Sequence, residues 1–147
     1  MKIKIAKSEI VHFVGIGGIG MSGLAIIMSQ LGFKIQGSDQ LYNKNFERLK
    51  KEKIKLYVGH HRKNISNATI LIISSAIKSN NVEYKEAKKK KIPIYKRGEA
   101  LANIVSLMKN IVVAGSHGKT TTTSLIASIF SAANLDPTVI NGGIINS

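Results

Sequence analysis

Two glycine-rich segments of this sequence have the residue types and spacing that bind phosphate groups at the start of a helix. The first fits the pattern G-x-G-x-x-G at Gly15, Gly17 and Gly20. In that pattern the first glycine permits a tight turn, the second lets the backbone approach a pyrophosphate, and the third allows close helix packing. The helix that follows offers N–H groups and a positive dipole end to the phosphates. The predicted diphosphate loop comprises Gly15, Ile16, Gly17, Gly18, Ile19 and Gly20.

The second segment has the features of a loop that binds a nucleoside triphosphate. Gly118-Lys119-Thr120 matches the end of the pattern G-x-x-x-x-G-K-[ST], although Val113 occupies the position of the first glycine. Backbone N–H groups of such a loop form an anion-binding nest. Lys119 can reach the β- and γ-phosphates, and the Thr120 hydroxyl can bind Mg²⁺. The predicted loop comprises Gly115, Ser116, His117, Gly118, Lys119, Thr120 and Thr121. For the His117 side chain, phosphate contact and a structural role both remain open.

Strand and helix patterns alternate along the chain around these loops. Short apolar runs predict strands at 9–14, 33–37, 55–58, 68–74, 92–95 and 110–114, and 136–143 forms a last extended piece. Apolar residues at helical spacing predict helices at 21–31, 45–53, 82–91, 99–108 and 120–133. This alternation predicts an α/β fold. We expect a Rossmann-like parallel sheet with helices on both faces, followed by the start of a P-loop ATPase domain.

A second strand–glycine–helix unit begins close to Leu107–Asn110. We therefore expect one complete domain at residues 1–108 and the opening of a second domain at residues 109–147. Two phosphate loops in one chain indicate two phosphorylated ligands. One of them would donate a phosphoryl group to a molecule that the other loop carries.

Composition excludes several classes of protein. The 147 residues contain no cysteine, which excludes a disulfide scaffold, a thiolate nucleophile and a cysteine-based metal site. The apolar stretches are shorter than the roughly 20 residues of a membrane span. No long apolar region follows the basic N-terminus, so we expect no signal peptide, no membrane partner and a cytoplasmic location.

The formal net charge of +14 raises the alternative of a nucleic-acid-binding protein. However, 19 of the 22 basic residues are Lys, and Lys, Ile and Asn, all frequent here, have AT-rich codons. Specific nucleic-acid readers favour Arg for bidentate contacts and aromatic residues for stacking. We therefore expect no nucleic-acid partner.

The first loop by itself leaves its ligand open between NAD and another diphosphate such as a UDP-sugar. Asp39 ends the second predicted strand, where a carboxylate can accept hydrogen bonds from a ribose or a base. A regulatory, NAD-binding Rossmann module is therefore the alternative to an enzyme.

Four segments together resemble the Mur ligase family in their order and spacing: Val11–Gly23, Gly37–Asp39, Ser74–Ile77 and Ala114–Thr123. The resemblance covers essentially the whole chain. It implies that ATP, with Mg²⁺, phosphorylates the lactyl carboxylate of UDP-N-acetylmuramate. The amine of L-alanine then attacks the acyl phosphate, as a step of peptidoglycan synthesis. A complete Mur ligase has three domains, so the resemblance implies an N-terminal part that is inactive by itself.

The resemblance also assigns roles to single residues. Lys119 and Thr120 would act in catalysis, Lys119 on the γ-phosphoryl charge and Thr120 on Mg²⁺, while Gly115–Thr121 would wrap ATP. The first loop would hold the UDP pyrophosphate. The rest of the UDP-sugar pocket would come from Ser38, Asp39, His60, Ser74, Ser75 and Ala76. A plain surface role for His60 stays open, as does the oligomeric state. Arg97 is a further candidate for substrate contact, and His12 is expected to be a paired residue of the core.

Overall fold

The computed structural model describes residues 5–141 and 144–146. Its main sheet has five parallel strands in the spatial order β3-β2-β1-β4-β5. The strands are β1 (Ile10–Val14), β2 (Lys34–Asp39), β3 (Lys55–Val58), β4 (Ile70–Ile73) and β5 (Ile94–Lys96). An antiparallel hairpin of β6 (Val139–Asn141) and β7 (Ile144–Asn146) follows near the end of the chain.

Helices connect these strands. They are α1 (Ile19–Gln30), α2 (Lys44–Lys51), α3 (Val82–Lys89), α4 (Arg97–Ser106) and α5 (Lys119–Ala132), with a single 3₁₀ turn at Arg62–Ile65. The polar residues Asn43 and Asn81 cap α2 and α3, because their side chains accept hydrogen bonds from the first N–H groups of each helix.

Two apolar cores cover opposite faces of the sheet. On one face Phe13 of β1 and Ile72 of β4 pack with residues of α1, α2 and α4, such as Phe46 and Ile104. On the other face Leu71 of β4 packs with residues of the 3₁₀ turn and α3. Strands that are apolar on both faces are typical of the interior of a parallel sheet. The predicted Rossmann-like sheet with helices on both faces is therefore confirmed.

The register of the strands brings three chain segments to one edge of the sheet. Val14 of β1 pairs with Ser38 of β2, and it also pairs with Ile73 of β4. The segments that leave these strands therefore meet at the carboxyl edge, which is where open α/β sheets bind ligands.

The strand predicted at 110–114 is wrong. In the structure this segment has no regular secondary structure, and Ile111 and Val112 are 61% and 74% exposed. An isolated apolar segment gains neither ladder hydrogen bonds nor burial, and no strand in the described ranges pairs with this one. The helix after it did form, as α5, but none of its residues is buried. Part of the last extended piece, Gly142 and Gly143, lies outside the described residues.

Candidate phosphate and nucleotide site

The first glycine loop is tied to the end of β2 by its backbone. The N–H groups of Gly15 and Ile16 both donate to the carbonyl oxygen of Ser38, at 2.8 and 3.0 Å. Gly15 has a φ of +83°, and a Cβ there would lie 3.1 Å from Cβ of Ser74. Glycine is therefore required at this turn, which brings together the loop and the ends of β2 and β4 as the sequence predicted.

At Gly17 the structure shows contacts that the sequence did not predict. Its N–H donates to the Asp39 carboxylate at 2.8 Å, and its carbonyl oxygen accepts from the side-chain amides of Asn43 and Asn45 at 3.3 and 2.7 Å. Asp39 also accepts from the N–H of Gln40 at 2.8 Å. We expected Asp39 to face a ribose or a base and the Gly17 backbone to approach a pyrophosphate. In this structure Asp39 fixes the loop, and its contact with a ribose or a base stays a prediction.

The start of α1 keeps the geometry of an anion site. Helix geometry leaves the N–H groups of Ile19 and Gly20 without an acceptor inside the helix. The Arg97 guanidinium lies against this helix end, since a Cβ on Gly20 would be 2.8 Å from Arg97 Nη1. Arg97 begins α4 directly after β5, so the sheet edge places a cation beside a helix N-terminus. This arrangement suits a phosphate or diphosphate.

The three residues after β4 continue the edge. The Ser74 N–H donates to the carbonyl oxygen of Val14 at 3.1 Å, and its hydroxyl oxygen accepts from the N–H of Ala76 at 3.3 Å. Ser75 and Ala76 are exposed at the rim. These residues therefore lie beside the loop, where they can line a ligand pocket.

Beneath this edge lies a buried polar cluster, which we call the Glu83 cluster: His12, Gln36, Ser38, His60, Asn64 and Glu83. Glu83 in the first turn of α3 is fully buried. Its carboxylate accepts hydrogen bonds from the Ser38 hydroxyl at 2.5 Å and from the Asn64 amide at 2.6 Å. His60 Nδ1 lies 3.0 Å from Ser38 Oγ and 3.2 Å from Glu83 Oε2. Two predicted site residues, Ser38 and His60, therefore meet through a carboxylate that sequence reasoning missed.

The environment of Glu83 keeps it charged. Burial by itself raises the pKa of a carboxyl group. The hydrogen bonds from His12 and Ser38 outweigh that effect and lower the pKa of Glu83 from 4.5 to about 2. His12 is fully buried and receives the Gln36 amide at Nδ1, 3.1 Å away, so it is the paired core residue that was expected.

The second loop precedes α5 and is exposed throughout. Gly118 caps the helix with a φ of +75°, a conformation that favours glycine. Lys119 Nζ donates to the carbonyl oxygens of Gly115 and Ser116, at 2.5 and 3.1 Å. The ammonium group is therefore held by the loop's own carbonyl oxygens, and its contact with a triphosphate stays a prediction. No three His, Cys, Asp or Glu side chains of the described chain lie together to hold a metal ion, and Thr120 as an Mg²⁺ ligand stays a prediction.

No helix in the described ranges is long and apolar enough to cross a membrane.

Comparison with known proteins identifies the family. The model of the Mur ligase family, catalytic domain, matches residues 10–109. UDP-N-acetylmuramate–L-alanine ligase of Pelagibacter ubique (strain HTCC1062) is 71% identical over the whole chain, which covers 32% of that protein. The ligase of the same name from Rickettsia felis is 57% identical over 95% of the chain and 29% of its own length.

Solved structures of ligases also match this chain. The crystal structure of UDP-N-acetylmuramate-alanine ligase from Thermotoga maritima matches with a TM-score of 0.81 and 32% identity, over 91% of this chain and 32% of that one. A UDP-N-acetylmuramate:L-alanyl-gamma-D-glutamyl-meso-diaminopimelate ligase from Neisseria meningitides matches with a TM-score of 0.80 and 29% identity, over 92% and 43%. The chain spans about a third of the length of the curated relatives. The family match over most of the chain, together with the glycine loop at the carboxyl edge of a parallel sheet, shows that it belongs to the Mur ligase family.

Proposed function

We propose that this chain is the nucleotide-sugar-binding part of a UDP-N-acetylmuramate–L-alanine ligase that acts in peptidoglycan synthesis. The observation that carries the proposal is 71% identity, over all 147 residues, to a relative that bears this name. Residues 1–108 would form the UDP-sugar domain, and residues 109–147 would open the ATP-binding domain. Because ATP and UDP-sugars are cytoplasmic metabolites, the reaction is proposed to occur in the cytoplasm.

The first loop would hold the UDP pyrophosphate. The Arg97 guanidinium lies beside the N–H groups at the start of α1, in the space that Gly20 leaves without a side chain. A helix N-terminus and a guanidinium both favour an anion, and the two together suit the double charge of a diphosphate. The Asp39 carboxylate would act indirectly, because it holds Gly17 in the loop.

The uridine would lie over the ends of β2 and β4. His60, which the buried Ser38 hydroxyl contacts, would lie at one side, and Ser74, Ser75 and Ala76 would form the other side of the same edge.

The second loop would hold ATP. A triphosphate would draw the Lys119 ammonium away from the carbonyl oxygens of Gly115 and Ser116 and onto its β- and γ-phosphates. Mg²⁺, with Thr120 as one ligand, would neutralise charge on the same phosphates. The lactyl carboxylate would accept the γ-phosphoryl group, and the amine of L-alanine would displace phosphate to form the amide.

A graft tests this function. The 147 residues would replace the matching N-terminal part of the Pelagibacter ubique relative, and L-alanine-dependent phosphate release from ATP would be measured with UDP-N-acetylmuramate. We expect the graft to be active within about tenfold of its parent, because most loop and core contacts are internal to the chain.

Two variants of the graft give the control. Lys119→Ala should abolish ligation, whereas Lys109→Ala, which removes an exposed cation before the loop, should leave it unchanged. A folded graft without ligation, or a Lys119→Ala graft that keeps its activity, would contradict the proposal.

A further inference from the structure

We infer that Glu83 is a positioning residue of the nucleotide-sugar site, because it fixes which nitrogen of His60 carries the proton. His60 would then present Nε2 to the ligand as a hydrogen-bond acceptor. The inference rests on the proposed function for the identity of the ligand. Its structural part, the state of the His60 ring, is independent of any ligand.

The Glu83 carboxylate is surrounded by hydrogen-bond donors. Its Oε1 accepts from the Asn64 amide at 2.6 Å and from the N–H of His61 at 3.2 Å. Its Oε2 accepts from the Ser38 hydroxyl at 2.5 Å and lies 3.4 Å from His12 Nε2. The side chain is wholly buried. A buried carboxylate with this many donors acts as an acceptor only.

The proton of His60 follows from these contacts. Ser38 has one hydroxyl hydrogen, and it points to Glu83. The contact of 3.0 Å between His60 Nδ1 and Ser38 Oγ therefore needs a hydrogen on the ring nitrogen. The contact of 3.2 Å between His60 Nδ1 and Glu83 Oε2 needs the same hydrogen. In the neutral ring Nδ1 is thus the donor and Nε2 carries a lone pair.

The contacts of His60 with Ser38 and Glu83 use Nδ1, so Nε2 is the nitrogen left for a ligand. In the described ranges no residue makes a hydrogen bond to Nε2, and the His60 side chain is 9% exposed. His60 lines an open cavity of about 460 Å³ together with His61, Arg62, Lys63 and Val82. An acceptor at its wall would select a donor of the ligand, such as the imide N–H of uracil or a ribose hydroxyl.

His12 supports the carboxylate from the opposite side. The Gln36 amide nitrogen donates to the carbonyl oxygen of Asn64 at 2.9 Å, and its second hydrogen points to His12 Nδ1 at 3.1 Å. The His12 proton therefore lies on Nε2, which faces Glu83. The polar groups around Glu83 direct hydrogens toward its carboxylate oxygens. A neutral amide at this position would bring hydrogens of its own and break part of this hydrogen-bond network.

The first test is the ring state of His60, read from its ¹⁵N chemical shifts by NMR in the 147-residue chain without ligand. We expect the Nδ1–H form in the natural chain and a loss of that preference in Glu83→Gln. The matched control is Glu86→Gln, which makes the same exchange one turn further along α3 and removes an ion pair with Lys90 outside the Glu83 cluster. An Nε2–H form in the natural chain, or no change in Glu83→Gln, would overturn the inference.

The second test is calorimetric binding of UDP-N-acetylmuramate by the same three proteins. Loss of the hydrogen bond to Nε2 should weaken binding by about tenfold in Glu83→Gln, with less than twofold in Glu86→Gln. UDP methylated at N3 and 2′-deoxy-UDP show which donor meets His60. If Glu83→Gln binds as tightly as the natural chain, the positioning role is refuted. If the natural chain binds no UDP-sugar, the proposed function fails, whereas the NMR result still decides the ring state.

Discussion

The Asp39 carboxylate accepts a hydrogen bond of 2.8 Å from the backbone N–H of Gly17. The end of β2 thereby holds the glycine loop at the end of β1 in one conformation. The acidic residue that usually signals a ribose contact in a Rossmann fold also fixes the loop here. Further along the same loop, the Arg97 guanidinium lies against Gly20 at the start of α1.

The hydrogen bonds of Gly17 with Asp39, Asn43 and Asn45, which we call the Gly17 clasp, predict the effect of a methyl group at Gly17. A Cβ would lie 2.3 Å from the Asn43 amide nitrogen and 2.9 Å from the Asp39 carboxylate, so Gly17→Ala must displace both. We expect at least about tenfold weaker binding of UDP-N-acetylmuramate, measured by calorimetry. Gly98→Ala is the control, because it adds the same methyl group in α4, outside the loop, with no atom within 4 Å of its Cβ. Equal affinity of the two variants would refute the role of the clasp.

Arg97 should contribute to binding through its charge. We expect Arg97→Ala to lower the affinity for UDP-N-acetylmuramate by about tenfold and to make binding less sensitive to salt, since a charge-assisted contact to phosphate is lost. Lys89→Ala removes an exposed cation at the end of α3 and should change neither quantity. Unchanged affinity and salt dependence in Arg97→Ala would place the pyrophosphate elsewhere.

Two glycines should respond in opposite ways when the free energy of unfolding is measured with urea. A Cβ at Gly37 would lie 2.5 Å from Ile16 Cδ1 and 2.8 Å from the Phe13 carbonyl oxygen, so Gly37→Ala should destabilise the fold by about 1–3 kcal/mol. Gly98 is exposed in α4, with no atom within 4 Å of its Cβ, so Gly98→Ala should stabilise by about 0.5–1 kcal/mol. A Gly37→Ala protein as stable as the natural chain would contradict the tight packing of the loop on β2.

Glu83 predicts a pH dependence of stability. Its pKa is about 2 in the folded chain, below the ordinary 4.5, so its charged form favours folding. This contribution, about 3 kcal/mol, is present above pH 4.5 and is lost as the pH falls toward 2. Glu83→Gln should therefore be less stable than the natural chain at pH 7, with a difference that narrows in acid. His12 and His60 also face the Glu83 carboxylate. The free energy of unfolding of Glu83→Gln is therefore compared at each pH with that of Glu86→Gln, which leaves both histidines in place. A difference that stays constant from pH 7 to pH 2 would refute the prediction.

The sheet could be predicted from the sequence because its strands and helices carry their own patterns. The apolar run that forms β4 and the glycine–helix junction after Val14 are both patterns of adjacent residues, so they can be recognised in the sequence without knowledge of the fold. The segment 110–114 shows the limit, since its β-branched residues fit a strand but form one only beside a partner strand.

The Glu83 cluster could not be predicted, because its members are far apart in the sequence and meet only after the sheet forms. The sequence nevertheless contained a sign of a buried polar cluster. His12 and Gln36 are polar residues inside strands of a parallel sheet, and buried polar groups need partners. Glu83 was missed because an acidic residue in the first turn of a helix is also typical of simple capping.

Calorimetric titration of the 147-residue chain with UDP-N-acetylmuramate and, separately, with NADH tests the central claim most directly. The account predicts saturable binding of UDP-N-acetylmuramate that UDP competes away, and no heat of binding with NADH. Tight binding of NADH without binding of UDP-N-acetylmuramate would contradict it.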